Sequence, residues 1–419
     1  MHLHLFAITH VNFFLNSLRK ISLRFLHLML KNQIRLEKMS INSFIKLLKF
    51  ELNFLLTFLF TLVISQSQNN TQFNLNIWDI SLGKLNISLN GHSNTVTGLA
   101  KLDNNLLASA SLDNTTLIWN LTNGQLKYKL QGGHSDYVLT LMSLGNNLVA
   151  TSSVDNSVIV WNVSEKIGGE IKYILPSQSN SFESTIQLNQ IQLATTSMQR
   201  TICVWNLETG QLDLNLTGGH TDWILSLVKL DGRRGENRLA SGSQDASVCV
   251  WNLSTGELEY KLMGHKFWVI TMLSLDENFL ASRSFSELII WDVVSGLLNF
   301  TLNVGVSIAY PSMAKLRNTN LLALANCDLE NSIQIWDFVT HALKYKLRGE
   351  DRSATFSVLS INDELLASGN EGSFVYIWNL TSQDMKYSLS YKANSLLTYL
   401  GDDMLVSAKG PSNSKYKKI

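Results

Sequence analysis

The stretch LASASLDNTTLIWNLTNG, Leu107–Gly124, returns in closely similar form as LASGSQDASVCVWNLSTG, Leu239–Gly256. Both stretches begin with small and apolar residues, pass through a polar turn that carries an Asp, and reach a Trp-Asn pair followed by a second polar turn. Two short apolar runs separated by such a turn predict a pair of β-strands. The chain therefore repeats one structural unit.

A Trp followed by Asp or Asn recurs along most of the chain. Successive Trp residues of these pairs are separated by 41, 42, 44, 46, 40, 45 and 42 residues. A repeat of about 40–45 residues that ends in this pair is typical of the blades of a β-propeller. The eight pairs begin at Trp78, Trp119, Trp161, Trp205, Trp251, Trp291, Trp336 and Trp378.

Each unit contains four runs with the pattern of a strand. The run QLKYKLQ at Gln125–Gln131 alternates strictly, which predicts a strand with one buried face. The runs DYVLTLMSL, NLVATSS and SVIVW follow between Asp136 and Trp161, with polar turns between them. Two of these runs are almost continuously apolar, as expected for strands covered on both faces. An all-β fold with four-stranded blades follows.

The two ends of the repeat region are complementary. The N-terminal side supplies a third strand, Gln72–Asp79, and a fourth, Lys84–Asn90. The C-terminal side supplies a first strand, Asn394–Leu400, and a second, Asp403–Lys409. Pairing these halves would remove exposed sheet edges. We therefore expect eight blades closed by two strands from each end, with seven blades and overhanging ends as the alternative.

The repeat resembles that of the WD40 family of β-propellers, from Gln72 to Gly410. The resemblance implies a hydrogen-bonded set of four side chains in each complete unit: the His of a Gly-His pair, a Ser or Thr, an Asp and the Trp. Satisfying these polar groups matters because a buried unpaired group costs about 1–3 kcal/mol. The matching sets are His92, Ser109, Asp113 and Trp119; His134, Thr151, Asp155 and Trp161; and His220, Ser241, Asp245 and Trp251.

Other units depart from this pattern. The unit ending at Trp205 has Gln199 at the position of the Asp and lacks the Gly-His pair. The unit ending at Trp291 keeps the His and Ser282, but its turn is one residue shorter and offers Ser286. We expect looser turns in these units, without loss of the fold.

The first 67 residues differ in composition and carry no repeat. They hold eight Lys or Arg and two Asp or Glu, and the stretch FLLTFLFTLVI at residues 54–64 is apolar. Basic residues before a short apolar run, with small residues after it, are typical of a secretory signal peptide. The run is shorter than the ~20 residues of a membrane span. A cleaved signal is expected; an uncleaved signal anchor and a helix packed on the propeller are the alternatives.

The domain organisation follows from this division. We expect a leader at residues 1–67, a propeller at residues 68–410 and a basic tail at residues 411–419. Either Met1 or Met39 begins the protein, since Met39 stands at a natural start for the signal. A retained leader would contact a membrane through residues 50–65. The expected location is secreted or membrane-tethered with the propeller outside the cytosol, and the alternative is cytoplasmic.

Asn-x-Ser/Thr sequons support this location mildly. Such motifs become glycosylated only in the secretory pathway. Several arise where Asn replaces Asp after the Trp, and the absence of a disulfide framework favours the alternative. The candidate glycosylation residues are Asn69, Asn86, Asn114, Asn120, Asn162, Asn215, Asn252, Asn299 and Asn379.

Charge and cysteine content exclude several function classes. The chain after residue 67 holds 26 Lys or Arg against 31 Asp or Glu, a net charge of −5, which argues against nucleic acid as a partner. The three cysteines Cys203, Cys249 and Cys327 have neither disulfide nor metal-site spacing. Neither a catalytic set nor a cofactor or metal motif is evident, so an enzyme is not expected.

Large aromatic residues supply the best interaction signal. Tyr137, Trp223 and Trp268 each stand three residues after a repeat His, and Phe267 precedes the last of them. The resemblance places this position near one mouth of the propeller channel, where aromatic side chains either anchor a partner or pack between blades. The expected function is a non-catalytic scaffold for a protein or peptide partner. The alternatives are a cytosolic adaptor in a larger complex, a propeller hydrolase and a sugar-binding propeller.

Overall fold

The computed structural model describes residues 73–130, 132–165, 168–176, 184–197, 199–231, 237–304, 312–325, 332–349, 354–370, 374–390 and 396–408. The chain divides into two units, Met1–Asn70 and Thr71–Ile419, and every described residue belongs to the second. The leader, its apolar run at residues 54–64 and the tail at residues 411–419 therefore lie outside the described residues. The predictions made for them remain predictions.

All regular structure in the described ranges is β-strand. The strands are β1 (Phe73–Asp79), β2 (Lys84–His92), β3 (Val96–Leu102), β4 (Leu106–Ser111), β5 (Thr116–Asn120), β6 (Gln125–Leu130), β7 (Val138–Gly145), β8 (Leu148–Ser153), β9 (Ser157–Asn162), β10 (Glu170–Pro176), β11 (Thr185–Asn189), β12 (Gln192–Thr196), β13 (Ile202–Asn206), β14 (Leu212–Leu216), β15 (Ile224–Asp231), β16 (Asn237–Ser243), β17 (Ser247–Asn252), β18 (Leu258–Met263), β19 (Thr271–Ser274), β20 (Phe279–Arg283), β21 (Glu287–Asp292), β22 (Leu297–Asn303), β23 (Met313–Lys315), β24 (Leu321–Ala325), β25 (Ser332–Asp337), β26 (Ala342–Arg348), β27 (Thr355–Ser360), β28 (Leu365–Asn370), β29 (Phe374–Asn379), β30 (Asp384–Ser390), β31 (Leu396–Gly401) and β32 (Met404–Ala408).

These strands form eight antiparallel sheets of four strands each. Blade 1 is β3–β4–β5–β6, and blades 2 to 7 take the next strands in groups of four, from β7–β10 to β27–β30. The first strands of successive blades adjoin one another round the ring, so they are the innermost. The fourth strand of each blade is the outermost. The prediction of an eight-bladed propeller is confirmed.

Blade 8 closes the ring with strands from both ends of the propeller. Its order is β31–β32–β1–β2, and β1 pairs with β32 from Leu75 opposite Ala408 to Asp79 opposite Met404. The Trp78 indole Nε1 donates to Ser407 Oγ at 2.8 Å, 329 residues away in sequence. The expected closure by two strands from each end is therefore present, and the seven-bladed alternative is wrong.

The hydrophobic core lies between blades rather than within them. Each cluster of buried residues combines side chains of two neighbouring blades; one joins Leu75 and Val406 of blade 8 to Leu107 and Trp119 of blade 1. Eight such clusters occupy the eight interfaces. The middle strands are covered on both faces, and every residue of β4 is buried. Each blade therefore needs its neighbours to bury its apolar residues.

Turn geometry explains the many Asn residues between the first and second strands. Asn104 and Asn105 both have φ of 57°, and Asn146 and Asn147 have φ of 51° and 58°. Two consecutive residues with positive φ form the type I′ turn of a tight hairpin, and Asn tolerates this conformation better than most residues. These turns and those between the third and fourth strands define the lower face of the ring. The other loops define the upper face.

Aromatic side chains at the outer rim also connect neighbouring blades. The Tyr387 hydroxyl of blade 7 donates to the Ser81 carbonyl of blade 8 at 2.9 Å. Its ring covers Gly83, where φ is 64° and a Cβ would lie 2.5 Å from a ring carbon. Between blades 5 and 6 the Phe300 ring stacks instead on His341, with ring centroids 4.0 Å apart. The corresponding Tyr260 and Tyr345 donate to the Val294 and Leu380 carbonyls of the next blade, at 3.0 and 3.4 Å.

Candidate functional site

Four side chains form a hydrogen-bonded network at the upper face of blade 4. The Trp251 indole donates to Ser241 Oγ at 2.8 Å, and His220 Nε2 lies 2.7 Å from the same oxygen. His220 Nδ1 lies 3.2 Å from Asp245 Oδ2. An indole N–H only donates and a carboxylate only accepts, so His Nδ1 carries the proton and the Ser hydroxyl donates to Nε2. Each group therefore satisfies the next.

The same network is present in blades 1 and 2. The structure brings together every residue of the three sets that the sequence grouped. The corresponding distances are 2.8 Å for Trp119 to Ser109, 2.8 Å for His92 to Ser109 and 2.9 Å for His92 to Asp113, then 2.8 Å for Trp161 to Thr151, 2.8 Å for His134 to Thr151 and 3.1 Å for His134 to Asp155.

The Asp of each network also holds two loops. Asp245 Oδ1 accepts from the Ser247 backbone N–H at 3.0 Å and from its hydroxyl at 2.6 Å, while Oδ2 accepts from the Thr221 N–H at 2.9 Å. In blade 1, burial would raise the pKa of Asp113, but the hydrogen bond and charge of His92, with bonds from neighbouring residues, lower it to about 2. The carboxylates are therefore ionised at neutral pH and serve as structural acceptors.

Glycine precedes each network His because the indole lies directly beneath it. A Cβ on Gly133 or Gly219 would lie 2.5 Å from a ring carbon of Trp161 or Trp251. Real Cβ atoms do not approach other atoms so closely without displacing them. The Gly-His pair is thus required by packing as well as by hydrogen bonding.

Blade 5 replaces the Asp with a residue that the sequence did not single out. His265 Nε2 lies 2.6 Å from Ser282 Oγ, which accepts from the Trp291 indole at 2.7 Å. Glu287, at the start of β21, places Oε2 3.8 Å from His265 Nδ1, too far for a hydrogen bond. Ser286, which the sequence offered for this role, does not take it. Its carbonyl accepts from the Val304 backbone instead.

Glu287 instead binds the loop that carries the His. Its Oε2 accepts from the Lys266 backbone N–H at 3.2 Å, and its Oε1 lies 3.0 Å from Lys266 Nζ. The Nδ1 atom of His265 is buried without a hydrogen-bond partner. Burial lowers the pKa of His265 to about 4, although the nearby Glu287 charge acts in the opposite direction. His265 is therefore neutral at neutral pH.

The indole of the repeat Trp also has a hydrogen-bond acceptor in blades 3, 6 and 7. Blades 3 and 7 use Thr195 and Ser368, each at 2.9 Å from the indole nitrogen. In blade 6, Trp336 donates to Gln334 Oε1 at 3.0 Å. Thus the Trp keeps its hydrogen bond where His and Asp are lost, because a buried donor without an acceptor is costly.

The candidate aromatic residues differ in exposure. Phe267 and Trp268 are 53% and 43% exposed, and Met263 at the end of β18 is 61% exposed. The Trp268 ring lies 6.3 Å from that of Phe285, which occupies the shortened turn of blade 5. Trp223 and Tyr137, in the corresponding loops of blades 4 and 2, are half-buried. Exposed apolar side chains therefore lie at the upper face along the segment that leads from β18 of blade 4 into blade 5.

The sequons occupy three kinds of position. Four lie in turns at the lower face, where the Asn Oδ1 accepts from the backbone N–H two residues on: Asn120, Asn162, Asn252 and Asn379, at 2.8, 3.0, 2.9 and 2.8 Å. Asn114 lies in a turn of the upper face and donates to the Ser135 carbonyl at 3.2 Å. Asn86, Asn215 and Asn299 are exposed on outermost strands. Asn69 lies outside the described residues.

The cysteines contribute to the core. Cys203 and Cys249 are buried free thiols, and burial raises the pKa of Cys249 to about 12. Cys327 lies outside the described residues. Within the described ranges, no group of three or more His, Cys, Asp or Glu side chains is arranged to hold a metal ion. Nor do these ranges include a helix with the length and apolar character needed to cross a membrane.

The family model described as WD domain, G-beta repeat matches residues 83–120, 124–162 and 213–252. These three segments of the chain are WD40 repeats. The first matched repeat runs from the outermost strand of blade 8 through three strands of blade 1. The WD40 sequence repeat is therefore offset by one strand from the blade.

Two further comparisons agree with the WD40 propeller. The small ribosomal subunit protein RACK1y of Oryza sativa subsp. japonica is 42% identical over 55 residues, which cover 13% of this chain and 16% of that protein. The crystal structure of the computationally designed Ika8 protein superposes with a TM-score of 0.66 at 21% identity, over 76% of this chain and 95% of the designed one. The second likeness concerns the fold alone.

Proposed function

We propose that this WD40 protein is a non-catalytic scaffold that binds a protein partner on the upper face of blade 5. The observation that carries the proposal is the exposure of Phe267, Trp268 and Met263 in one region. Aromatic residues are favoured as interface anchors because they bury a large area with few rotatable bonds. Their half-buried counterparts Trp223 and Tyr137 extend the candidate surface to other blades.

The chemistry of the networks supports a scaffold rather than a hydrolase. Ser241 is fully buried, and its oxygen already accepts from an indole. The His and Asp that accompany it are engaged with each other and with the backbone. A nucleophile must reach a substrate carbonyl with its base beside it. These Ser-His-Asp sets are therefore assigned to structure and do not support the hydrolase alternative.

We place the protein in the secretory pathway, secreted or tethered through its leader, with a cytosolic adaptor as the second candidate. The basic and apolar leader and the sequons on exposed outer strands support the first location. The absence of a disulfide framework supports the second. Expression of the full chain with a C-terminal tag in a eukaryotic cell tests this choice, because a glycosidase-sensitive mass shift requires entry into the pathway.

Partner binding is tested by removing the exposed aromatic pair. Partners captured by the full chain are compared with those captured by the Phe267→Ala/Trp268→Ala variant. Because interface anchors each contribute about 2 kcal/mol or more, we expect the variant to bind the principal partner with at least tenfold lower affinity. The matched control is Val294→Ala/Val339→Ala, which removes side chains that are 57% and 54% exposed on the lower face. Equal capture by both variants would contradict the proposed surface.

A further inference from the structure

The outermost strand of every blade carries a bulge opposite the repeat Trp. In blade 5, Trp291 pairs with Leu298 and Ile290 pairs with Phe300, which leaves Asn299 as the extra residue. The same register shift recurs in all eight blades. Bulges and charged side chains protect sheet edges from pairing with another chain.

The bulge residue is charged in six blades. These residues are Lys127, Lys172, Asp213, Glu259, Lys344 and Lys386. Each stands on the outermost strand, at the edge where another chain would have to pair. Charged side chains on an edge strand disfavour edge-to-edge association.

The two remaining bulge residues are Asn86 in blade 8 and Asn299 in blade 5. Both are exposed, and each begins a sequon that is completed by Ser88 or Thr301. Asn86 Nδ2 lies 3.7 Å from Met404 Sδ, which is at most a weak contact. A sequon thus stands at the bulge wherever a charge is missing.

Blade 5 has the greatest need of protection. Its outermost strand β22, LLNFTLN, is the one outermost strand of the eight described blades without a charged residue. Leu297 and Leu298 on this strand are 65% and 46% exposed. An exposed, uncharged and apolar edge strand is a site of self-association.

We propose that Asn86 and Asn299 are N-glycosylated. In place of the missing charge, the glycan prevents these two sheet edges from pairing with another chain. The proposal rests on the secretory location proposed above. A glycan is bulky and hydrated, and at a bulge on the outermost strand it projects into solvent.

The modification requires a lipid-linked oligosaccharide diphosphate as donor. The Asn Nδ2 forms a bond to the anomeric carbon of the oligosaccharide, and the bond from that carbon to the diphosphate oxygen breaks. The Nδ2 loses one proton, and the lipid diphosphate leaves with the bonding electrons. Oxidation states do not change, and the remaining N–H of Nδ2 can keep a weak contact.

Other sequons are less suited to this modification. Asn252 Nδ2 donates to Glu259 Oε1 at 2.9 Å, and Asn114 Nδ2 donates to the Ser135 carbonyl at 3.2 Å. A glycan on either nitrogen must fit beside these acceptors in a turn. We therefore expect lower occupancy at Asn114 and Asn252 than at the bulge positions.

Site occupancy is measured on the full chain expressed in a eukaryotic cell behind an added cleavable signal peptide. The added signal removes dependence on the native leader, and a C-terminal acceptor sequon reports that the pathway was entered. Enzymatic deglycosylation converts each occupied Asn to Asp, which peptide mass spectrometry counts. We expect most molecules to be occupied at Asn86 and Asn299. An occupied reporter with both residues unmodified would overturn the proposal.

Parallel expression without the added signal separates the two proposals. A glycan-free chain in that arm would contradict only the secretory location, since occupancy at the bulge is decided by the other arm. Glycans in both arms would support location and site together.

Whether the glycan prevents self-association is tested by measuring the size distribution and light scattering of the secreted protein. The Asn299→Gln variant loses the glycan and gains no charge, so we expect its oligomeric fraction to rise about threefold or more. The Asn299→Lys variant supplies the charge found in four other blades and should remain monomeric. Asn120→Gln is the matched control in a turn. Equal monomer content in Asn299→Gln and Asn299→Lys would show that the glycan does not prevent association through this edge.

Discussion

Blades 4 and 5 are neighbours with the same Gly-His, Ser and Trp, yet their upper faces differ. In blade 4, Asp245 lies within 3.2 Å of the His220 ring and holds both loops. In blade 5, the acidic residue is Glu287, which binds the loop but leaves the His265 ring without that hydrogen bond. Both blades keep the bond from the Trp indole to the Ser hydroxyl, and they differ in whether an acidic side chain also bonds the His ring.

The glycine before the His offers the sharpest test of this difference. We expect Gly219→Ala to lower the free energy of unfolding by about 2–3 kcal/mol, because the added Cβ meets the buried Trp251 ring. Gly264→Ala should cost about 1 kcal/mol or less, since its Cβ would lie 3.1 Å from the Trp291 ring instead of 2.5 Å. Urea denaturation monitored by Trp fluorescence measures both, and equal losses would contradict tighter packing in blade 4.

Removal of the carboxylates probes the hydrogen bonds themselves. Asp245→Ala leaves the His220 ring and the Thr221 N–H without their acceptor and should cost about 1–2 kcal/mol. Glu287→Ala removes one backbone bond and one exposed ion pair, so the loss should be about half as large. Amide exchange of Thr221 and Lys266 reports the local effect beside the global stability. A larger loss for Glu287→Ala would reverse the comparison.

The two blades should also respond to acid in different pH ranges. The pKa of His265 is lowered to about 4 by burial, so the unfolded chain binds more protons there as pH falls below its usual 6.5. Its contribution is complete above pH 6.5 and is lost toward pH 4, with a loss of about 2 kcal/mol between pH 7 and pH 5.

The pKa of Asp245 is lowered, since the bonds from His220, Ser247 and Thr221 outweigh its burial, so its contribution is lost only below its usual value of 3.8. The measurement is thermal unfolding from pH 7 to pH 5. His265→Gln should reduce the slope without abolishing it, because burial also lowers the pKa of His134. An unchanged slope would contradict the assignment of His265.

Some features of the propeller followed from sequence reasoning because they depend on neighbouring residues. The alternation in QLKYKLQ and the Asn pairs in the turns specify strands and hairpins locally. The spacing of His220, Ser241, Asp245 and Trp251 was sufficient to group them, since the repeat returns the same residues in blades 1 and 2. The eight-bladed count could be inferred from incomplete repeats at each end.

Other features could not be read in this way. Glu287 lies on a strand rather than in the turn, so the pattern offered Ser286 instead. Phe285 comes to lie beside Trp268 only when the shortened turn of blade 5 meets the loop that carries Phe267 and Trp268. The role of Asn299 at a bulge became visible once the register of β22 against β21 was known.

The amino-acid sequence alone determined the strands, the repeat and the propeller class, because hydrophobic alternation and turn chemistry act over a few residues. The tertiary structure decided which residues meet across blades and which sheet edges remain exposed. The bulge at Asn299 illustrates the difference, since the residue that is left unpaired depends on how β22 pairs with β21. That register is set by the packing of whole strands, so the residues next to Asn299 in the sequence do not specify it.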